Sequence, residues 1–343
     1  MKKLAVVLLN LGGPDSPEAV RPFLFNLFRD KSILRVPALI RWPLAAFIAK
    51  KRAPVAAKIY ALIGGRSPLV PNTEIQARAL EIALGDAQTQ ARCFIAMRYW
   101  HPFSIEAAQQ VQEWGADEIV LLPLYPQWST TTTSSSLRVW NEACATIGLK
   151  TPARIVCCYP TEAGFIQAEV AKIRTALNAA RSYGPPRLLF SAHGLPERIV
   201  KSGDPYQWQC EQTAKAIVAA LDMPGLDWVN CYQSRVGRMK WIGPSTDDEL
   251  HRAGADKVPV VVAPIAFVSE HSETLVEIEI EYRHLAEEVG VPYFARVDTV
   301  GADAAFIGGL ASLVRGARVA STQVTSERGG RICPPNFAGC CQR

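Results

Sequence analysis

The chain has 343 residues, of which 49% are hydrophobic and 20% are charged. This composition is typical of a soluble globular protein, excludes disordered and collagen-like chains, and at this length predicts two domains. The net charge of +5 is too small to indicate a nucleic-acid partner. Nine cysteines in a chain expected to be cytoplasmic favour metal or redox chemistry over disulfides.

The N-terminus predicts a buried strand rather than a leader. Lys2 and Lys3 followed by the apolar residues 4–9 resemble the start of a signal peptide, but the run is short and no small-residue cleavage site follows it. No apolar run reaches the roughly 18–20 residues needed to span a bilayer. We therefore expect a cytoplasmic protein.

Residues 21–52 combine positive charge with apolar side chains. The stretch contains eight basic residues and only one acidic residue, Asp30, so it carries +7 and the remainder of the chain −2. A mixture of this kind suits a membrane surface. Two ordinary amphipathic helices with solvated charges are the alternative.

Apolar strand-like runs alternate with helix-like stretches, which predicts parallel sheets in an α/β fold. A Gly-Ala-Asp lead-in, a buried strand and a proline occur at 115–123 and again at 254–264, which predicts two similar doubly wound lobes around a central cleft. The predicted strands are 4–9, 118–122, 153–157, 187–191, 228–231, 257–263 and 293–297, and the helices include 73–84, 105–114, 163–178 and 273–288.

Ligands of such folds bind beyond the carboxyl ends of the strands, and two candidates occur there. His193 follows a strand and could accept a proton or bind a metal, with a structural histidine as the alternative. Glu273, Glu277 and Glu281 repeat every four residues on one helix face. They form a candidate path for cations or protons, with a solvated acidic surface as the alternative.

Two polar loops do not predict a nucleotide site. The hydroxyl-rich run 129–136 and the glycine-rich loop 63–68 lack the glycine spacing and the Lys or acidic ribose partner of phosphate-binding loops. We therefore expect no nucleotide cofactor.

The polar C-terminal segment ends in a cysteine cluster. Cys333, Cys340 and Cys341 lie within nine residues that also contain Pro and Gly. Zinc and iron–sulfur sites usually need four ligands, so Cys157 or Cys158, at the end of a strand, is the expected fourth. A flexible thiol-bearing tail is the alternative.

Nine short motifs, in this order, resemble the ferrochelatase family, which inserts Fe²⁺ into protoporphyrin IX in the last step of haem synthesis. They are LNLGGP (9–14), IGGRSP (63–68), RYWHP (98–102), YPQ (125–127), SAHGLP (191–196), GDPY (203–206), SRVG (234–237), WIGP (241–244) and SEHSET (269–274). The resemblance covers about residues 8–313 and implies two Rossmann-like lobes around a porphyrin cleft. We place the lobes at 1–182 and 183–318, and a tail at 319–343.

The resemblance also implies roles for individual residues. His193 and Glu273 would face each other across the macrocycle at its centre, the histidine as base or metal ligand and the opposite carboxylate to deliver iron or remove protons. The proton or metal path would include Glu277, Glu281, Glu270 and His271. The implied porphyrin contacts are Leu11, Tyr60, Ile63, Ser67, Arg98, Trp241 and Phe267.

Family members with a similar tail carry a [2Fe–2S] cluster. The resemblance therefore implies a cluster on Cys158, Cys333, Cys340 and Cys341, with Cys157 as the alternative first ligand. The spacing differs from that of animal members, whose upstream cysteine falls at Ala168 here. A structural zinc site is the alternative.

In the family, the region matching 21–52 forms a lip of the cleft near the membrane, so the resemblance implies peripheral association with the inner membrane. Metallation of coproporphyrin III shares the motifs and is retained as an alternative. A non-catalytic porphyrin- or haem-binding protein is the alternative from another functional class. The sequence does not decide between a monomer and a homodimer.

Overall fold

The computed structural model describes residues 1–235, 237 and 239–342, and these residues form the expected α/β fold. The strands are β1 (Lys2–Asn10), β2 (Thr89–Met97), β3 (Glu118–Pro123), β4 (Ala153–Val156), β5 (Arg187–His193), β6 (Asp227–Gln233), β7 (Val260–Ala263), β8 (Phe294–Arg296) and β9 (Val324–Thr325). The α-helices are α1 (Val20–Phe28), α2 (Ala38–Ala61), α3 (Leu69–Leu84), α4 (Ser104–Trp114), α5 (Thr133–Ile147), α6 (Ala163–Ala180), α7 (Glu197–Lys201), α8 (Tyr206–Leu221), α9 (Thr246–Asp256), α10 (Arg283–Glu288) and α11 (Ala304–Val319). A 3₁₀ turn covers Arg181–Tyr183 and a π-helix covers Glu273–Tyr282.

The first sheet has the strand order β2-β1-β3-β4-β9, and all its pairs are parallel. Its interior strand β1 is an uninterrupted apolar run because it is covered on both faces, and residues 4–9 are fully buried. Two of the five strands were not predicted. β2 is an edge strand with exposed polar residues, and β9 has only two residues, so neither gives a continuous apolar signal.

The second sheet has the order β6-β5-β7-β8 and is also parallel. β5 lies between β6 and β7, so the carboxyl ends of these three strands are neighbours. The candidate histidine is the last residue of β5. This strand order positions the site described below.

The contacts divide the chain into two compact units. The structure differs here from the predicted boundary at residue 182, because α6 packs against α8, β7 and β8 and therefore belongs to the second unit. The predicted tail is also divided, because β9 pairs with β4 while the following residues pack with the second unit. Unit 1 comprises Met1–Leu124, Ser129–Cys157 and Leu313–Thr325, and unit 2 comprises Tyr125–Trp128, Cys158–Ser312 and Ser326–Arg343.

Helix α2, in unit 1, exposes its large apolar side chains. Its buried positions include the small residues Ala45 and Ala49, whereas Leu39 is 92% exposed and Phe47 is 64% exposed. Trp42 is also exposed, and the Arg29 guanidinium lies 5.3 Å from its ring. Among the described residues, no helix is long and apolar enough to cross a membrane.

Candidate active site

His193 and Glu273 form a hydrogen bond in unit 2. His193 ends β5, and Glu273 begins the π-helix that follows the loop after the neighbouring strand β7. Because adjacent parallel strands end at the same edge of the sheet, the two side chains meet, with His193 Nδ1 2.9 Å from Glu273 Oε2. The two side chains are therefore in direct contact, which leaves no space between them for a macrocycle, so in this structure they do not face each other across one as the resemblance implied.

The contact with Glu273 determines the pKa of the His193 imidazole and which of its two nitrogens carries the proton. Burial would lower the pKa of His193, but the charge and hydrogen bond of Glu273 outweigh it and raise the pKa. Burial would raise the pKa of Glu273, but His193 holds it well below its usual value. An ionised carboxylate only accepts, so Nδ1 carries the proton of the neutral ring and Nε2 is the basic nitrogen. With its side chain 41% exposed, His193 remains open to a ligand.

Glu277 lies beside this pair and, among the described residues, accepts hydrogen bonds from four donors, three of which belong to Gln233 and Ser234. The Ser234 backbone N–H and hydroxyl each donate to its carboxylate, and Gln233 Nε2 donates to Oε2 at 3.0 Å. Burial and the charge of Glu273 raise the pKa of Glu277. The two neighbouring carboxylates therefore differ in protonation, with Glu273 ionised more readily and Glu277 holding a proton more readily.

The helix that carries these carboxylates is a π-helix, not the predicted α-helix. Its i→i+5 hydrogen bonding widens the turn, and such segments are frequent at functional sites. Tyr282, five residues after Glu277, donates its hydroxyl to that carboxylate at 3.2 Å. Glu281, the third member of the predicted row, is exposed to solvent.

Two further predicted path residues support the loop before the π-helix. Glu270 pairs with Arg296 at 2.9 Å and accepts a hydrogen bond from the Thr299 backbone N–H. His271 Nδ1 accepts from the Glu273 backbone N–H at 3.2 Å, and burial lowers the pKa of His271. His271 is therefore neutral at physiological pH, and Glu270 anchors the loop.

Two of the predicted porphyrin contacts lie in unit 2. Trp241 forms a β-bridge with Pro196 and packs beside Gly194, the residue after His193. A Cβ at Gly194 would lie 3.3 Å from the Trp241 ring and 2.8 Å from the Gln233 carbonyl oxygen, so only glycine fits there. Phe267 meets the ring of His271 edge-on, with centroids 4.6 Å apart.

Three others form an apolar group in unit 1. Tyr60 is a buried member of a cluster on which Leu11 and Ile63 pack. Ser67 is buried and lines a cavity of about 580 Å³ in this unit. The structure therefore groups three of the predicted porphyrin contacts, Leu11, Tyr60 and Ile63.

Arg98 has contacts that the sequence did not indicate. Its guanidinium donates to the buried carboxylate of Asp30 at 2.6 Å and to the Ser135 hydroxyl at 2.9 Å. Arg138 and Tyr99 also donate to Asp30. Burial would raise the pKa of Asp30, but Arg98 and these donors lower it, so the group is an internal ion pair.

The predicted cluster cysteines converge in unit 2. Gln209 Nε2 lies 3.1 Å from Cys333 Sγ and 3.5 Å from Cys158 Sγ. Hydrogen bonds from Cys333 and Cys341 lower the pKa of Cys340, whereas the hydrogen bond to Cys340 raises the pKa of Cys333. All four side chains named as ligands thus lie within one small region.

The structure separates the two alternatives for the first ligand. Gln209 contacts the thiol of Cys158, while Cys157 belongs to unit 1 and its backbone N–H bonds the Thr325 carbonyl oxygen. Over the part of the chain that the structure describes, no group of three or more His, Cys, Asp or Glu side chains is arranged to hold a single metal ion.

Several residues of these sites carry no recognisable signal in the sequence. Gln233 and Gln209 are single buried amides, and their roles depend on tertiary contacts. Ser234 belongs to the SRVG motif and has a positive φ of 60°, a backbone strain that often marks functional sites. Val236 of the same motif lies outside the described residues.

This chain is similar to known proteins over nearly its whole length. The ferrochelatase family model matches residues 3–318. A ferrochelatase of Caulobacter vibrioides (strain NA1000 / CB15N) is 54% identical over 99% of this chain and 97% of that protein. The ferrochelatase of Pelagibacter ubique (strain HTCC1062) is 44% identical over 99% and 98%.

A solved structure shows the same fold at low sequence identity. SirB from Bacillus subtilis with Fe³⁺ superimposes with a TM-score of 0.54 at 11% identity, covering 93% of this chain and 96% of that chain. With the family model matching nearly the whole chain, this chain belongs to the ferrochelatase family, a family of lyases.

Proposed function

We propose that this chain inserts Fe²⁺ into protoporphyrin IX to form protohaem in haem biosynthesis. The reaction replaces two pyrrole N–H protons by one Fe²⁺, so the site must remove two protons and admit one cation. The observation that carries the proposal is the His193–Glu273 pair, at the end of a parallel strand in a chain 54% identical to a ferrochelatase.

His193 acts in this proposal as the proton acceptor. Glu273 raises its pKa, which makes Nε2 a stronger base but forces a metal ion to compete with protons near neutral pH. This favours the base over the metal ligand as its main role. Glu273 orients the ring and stabilises the imidazolium that forms.

Glu277 receives the next proton. Its pKa is raised, and the Ser234 hydroxyl contacts both Glu277 and Glu273. Ser234 would thus link the His193–Glu273 pair to Glu277, which of the two carboxylates holds a proton more readily. Glu281, exposed on the same helix, would exchange protons or Fe²⁺ with solvent.

Apolar side chains would hold the macrocycle. A flat porphyrin buries a large apolar area, which aromatic and aliphatic contacts stabilise. Leu11, Tyr60 and Ile63 would supply such contacts from unit 1, and Trp241 and Phe267, which lie in unit 2, would supply others. Ser67 is proposed to bind a propionate, and Arg98 is proposed to position the pocket rim through Asp30.

We further propose a [2Fe–2S] cluster on Cys158, Cys333, Cys340 and Cys341. The donor set fits, because four thiols converge and each iron of such a cluster takes two thiolates rather than four ligands around one ion. Bound there, the cluster would supply one-electron chemistry. These cysteines would hold it, and Gln209 would donate to its sulfur ligands.

The exposed apolar residues of α2 are proposed to contact the cytoplasmic face of a membrane. Leu39, Trp42 and Phe47 present apolar area to solvent, and the surrounding stretch 21–52 carries +7. Apolar insertion together with attraction to anionic headgroups is the usual basis of peripheral binding. A membrane surface would also deliver an apolar porphyrin.

The decisive experiment is an anaerobic insertion assay on the purified chain with Fe²⁺ and protoporphyrin IX. Haem formation that is lost in His193→Ala and kept in His284→Ala is the expected result, because His284 is an exposed histidine of α10 paired with Glu288. Full activity of His193→Ala would exclude the assigned role. Tight haem binding without insertion would indicate a carrier instead.

The same assay with coproporphyrin III distinguishes the two ferrochelatase reactions. We expect a higher kcat/KM for protoporphyrin IX. A reversed preference would assign the chain to coproporphyrin metallation while leaving the roles of His193 and Glu273 unchanged.

A further inference from the structure

Gln209 is a buried amide that the insertion chemistry does not use. It lies on α8, is fully buried, and places Nε2 3.1 Å from Cys333 Sγ and 3.5 Å from Cys158 Sγ. An amide nitrogen has two hydrogens, so one N–H is available for each sulfur. The amide therefore contacts two of the cysteines proposed to bind the cluster. Among the described residues, it forms no hydrogen bond with those proposed to bind the porphyrin.

The orientation of this amide is fixed by its other end. The Trp128 backbone N–H donates to Gln209 Oε1 at 2.7 Å. An N–H cannot donate to an NH₂ group, so the oxygen must face Trp128 and the NH₂ group must face the sulfurs. The two N–H···S contacts therefore follow from the hydrogen-bond network.

Trp128 also anchors the loop that carries the other thiols. Its indole Nε1 donates to the Gly339 carbonyl oxygen at 2.8 Å, next to Cys340. Gly339 N–H donates to the Gly203 carbonyl oxygen at 3.0 Å. One residue thus holds both the donor amide and the cysteine loop in place.

Hydrogen bonds to the thiolates of an iron–sulfur cluster stabilise its more negative, reduced state. We propose that Gln209 is a positioning residue of the iron–sulfur site, which donates one N–H to Cys158 and one to Cys333 and so raises the potential at which the cluster accepts an electron. This inference rests on the proposed [2Fe–2S] cofactor.

The test is an anaerobic redox titration of the full chain with dithionite, followed by visible and electron paramagnetic resonance spectra. In Gln209→Leu both donors are absent, and we expect the ratio of reduced to oxidised cluster at a given potential to fall about tenfold, or about 59 mV for one electron. Gln209→Glu keeps an acceptor for Trp128 but turns a carboxylate oxygen toward the sulfurs. We expect its midpoint to fall at least as far.

Thr213→Val is the matched control. Thr213 lies one turn further along α8, and its buried hydroxyl bonds the backbone carbonyl oxygens of Pro160 and Gln209 and accepts from Gln127. None of these contacts is to a sulfur, so the midpoint of Thr213→Val should equal that of the wild type. Wild-type midpoints in both Gln209 variants would overturn the inference about Gln209 and leave the cluster proposal standing. If Gln209→Leu does not fold, the midpoint of Gln209→Glu is the deciding measurement. If the purified wild-type protein contains no iron and no acid-labile sulfide, both the cluster proposal and this inference are wrong. The proposed iron-insertion activity is tested separately by the insertion assay and would still stand.

Discussion

His193 Nδ1 and Glu273 Oε2 lie 2.9 Å apart, although the two residues are 80 positions apart in the sequence. The contact exists because β5 and β7 are adjacent parallel strands that end at the same edge of the sheet. It makes the basicity of one side chain depend on the charge of the other.

Glu273→Gln should move the pH profile of iron insertion to lower pH. His193 accepts a proton only when neutral, so the rate rises as pH increases through its pKa, which in the wild type lies above the usual value of about 6.5. Without the Glu273 charge, burial dominates and the pKa falls. We also expect a loss of roughly 10²–10⁴-fold in kcat.

The measurement is kcat/KM from pH 5.5 to 9, with Glu288→Gln as the control. Glu288 is an exposed carboxylate on α10, and its removal should leave the profile in place. A Glu273→Gln profile that coincides with the wild-type profile would show that another group limits the rate.

Ser234→Ala should slow insertion without changing porphyrin binding. The Ser234 hydroxyl donates to Glu277 and contacts Glu273, and a hydrogen bond to a charged group is worth about 1.5–3 kcal/mol, or roughly 10- to 100-fold. Ser234→Gly separates this effect from backbone strain, since glycine tolerates the positive φ. Equal losses in kcat in both variants would assign the effect to the hydroxyl, whereas a normal rate in Ser234→Gly would assign it to strain.

The positions of His193 and Glu273 beyond strand ends could be predicted from the sequence because their signals are local, whereas a joint role at the reaction centre was implied only by the family resemblance. His193 follows a fully buried strand, which shows as a continuous apolar run, and Glu273 follows another. Edge strand β2 gave no such run. Its exposed polar positions interrupt the pattern.

The surroundings of the pair could not be predicted, because they depend on tertiary contacts. Gln233 is an ordinary amide in the sequence, and only pairing of β6 with β5 places it against Glu277. The α-helical spacing predicted a row that continued to Glu281. The wider π-helix instead brings Tyr282 to Glu277.

Serine substitutions of Leu39, Trp42 and Phe47 together should weaken membrane binding. Full burial of a large apolar side chain is worth roughly 1.5–3 kcal/mol, and each of these exposed side chains would gain part of that free energy in the membrane interface. We therefore expect the triple variant to have at least a tenfold lower partition constant. The measurement is sedimentation with vesicles containing anionic lipid. Ile82→Ser is the control, since Ile82 is 83% exposed on α3 and lies outside the patch.

Raising the salt concentration should also release the wild-type chain, because the charge of stretch 21–52 is screened. Unchanged binding of the triple variant would place the membrane contact elsewhere.

We expect Cys158→Ser to abolish the proposed cluster and Cys157→Ser to preserve it. The two cysteines are adjacent and both buried, but it is Cys158 that shares the Gln209 amide with Cys333. The measurement is iron and acid-labile sulfide per chain, with the visible spectrum, after anaerobic purification. Loss of the cluster in Cys157→Ser alone would reverse the assignment, and zinc in place of iron would indicate a structural zinc site.

Glu169→Met should stabilise the protein most at alkaline pH. Glu169 lies buried on α6, neither carboxyl oxygen has a hydrogen-bond partner among the described residues, and burial raises its pKa to about 8. In the unfolded chain its pKa is about 4.3, so between these values the folded state binds a proton that the unfolded state releases. Stability therefore falls as pH rises through this range.

Removing the carboxyl should remove this pH dependence of the free energy of unfolding. It should also raise the free energy of unfolding by about 1–3 kcal/mol at pH 8.5, since a buried polar group without a partner costs about that much. Urea denaturation at pH 6 and pH 8.5 measures the difference. Glu142→Met is the control, because Glu142 is an exposed carboxylate on α5 and its replacement should change the free energy of unfolding equally little at both pH values. A wild-type midpoint that is independent of pH would mean that Glu169 is solvated and ionised in the folded chain.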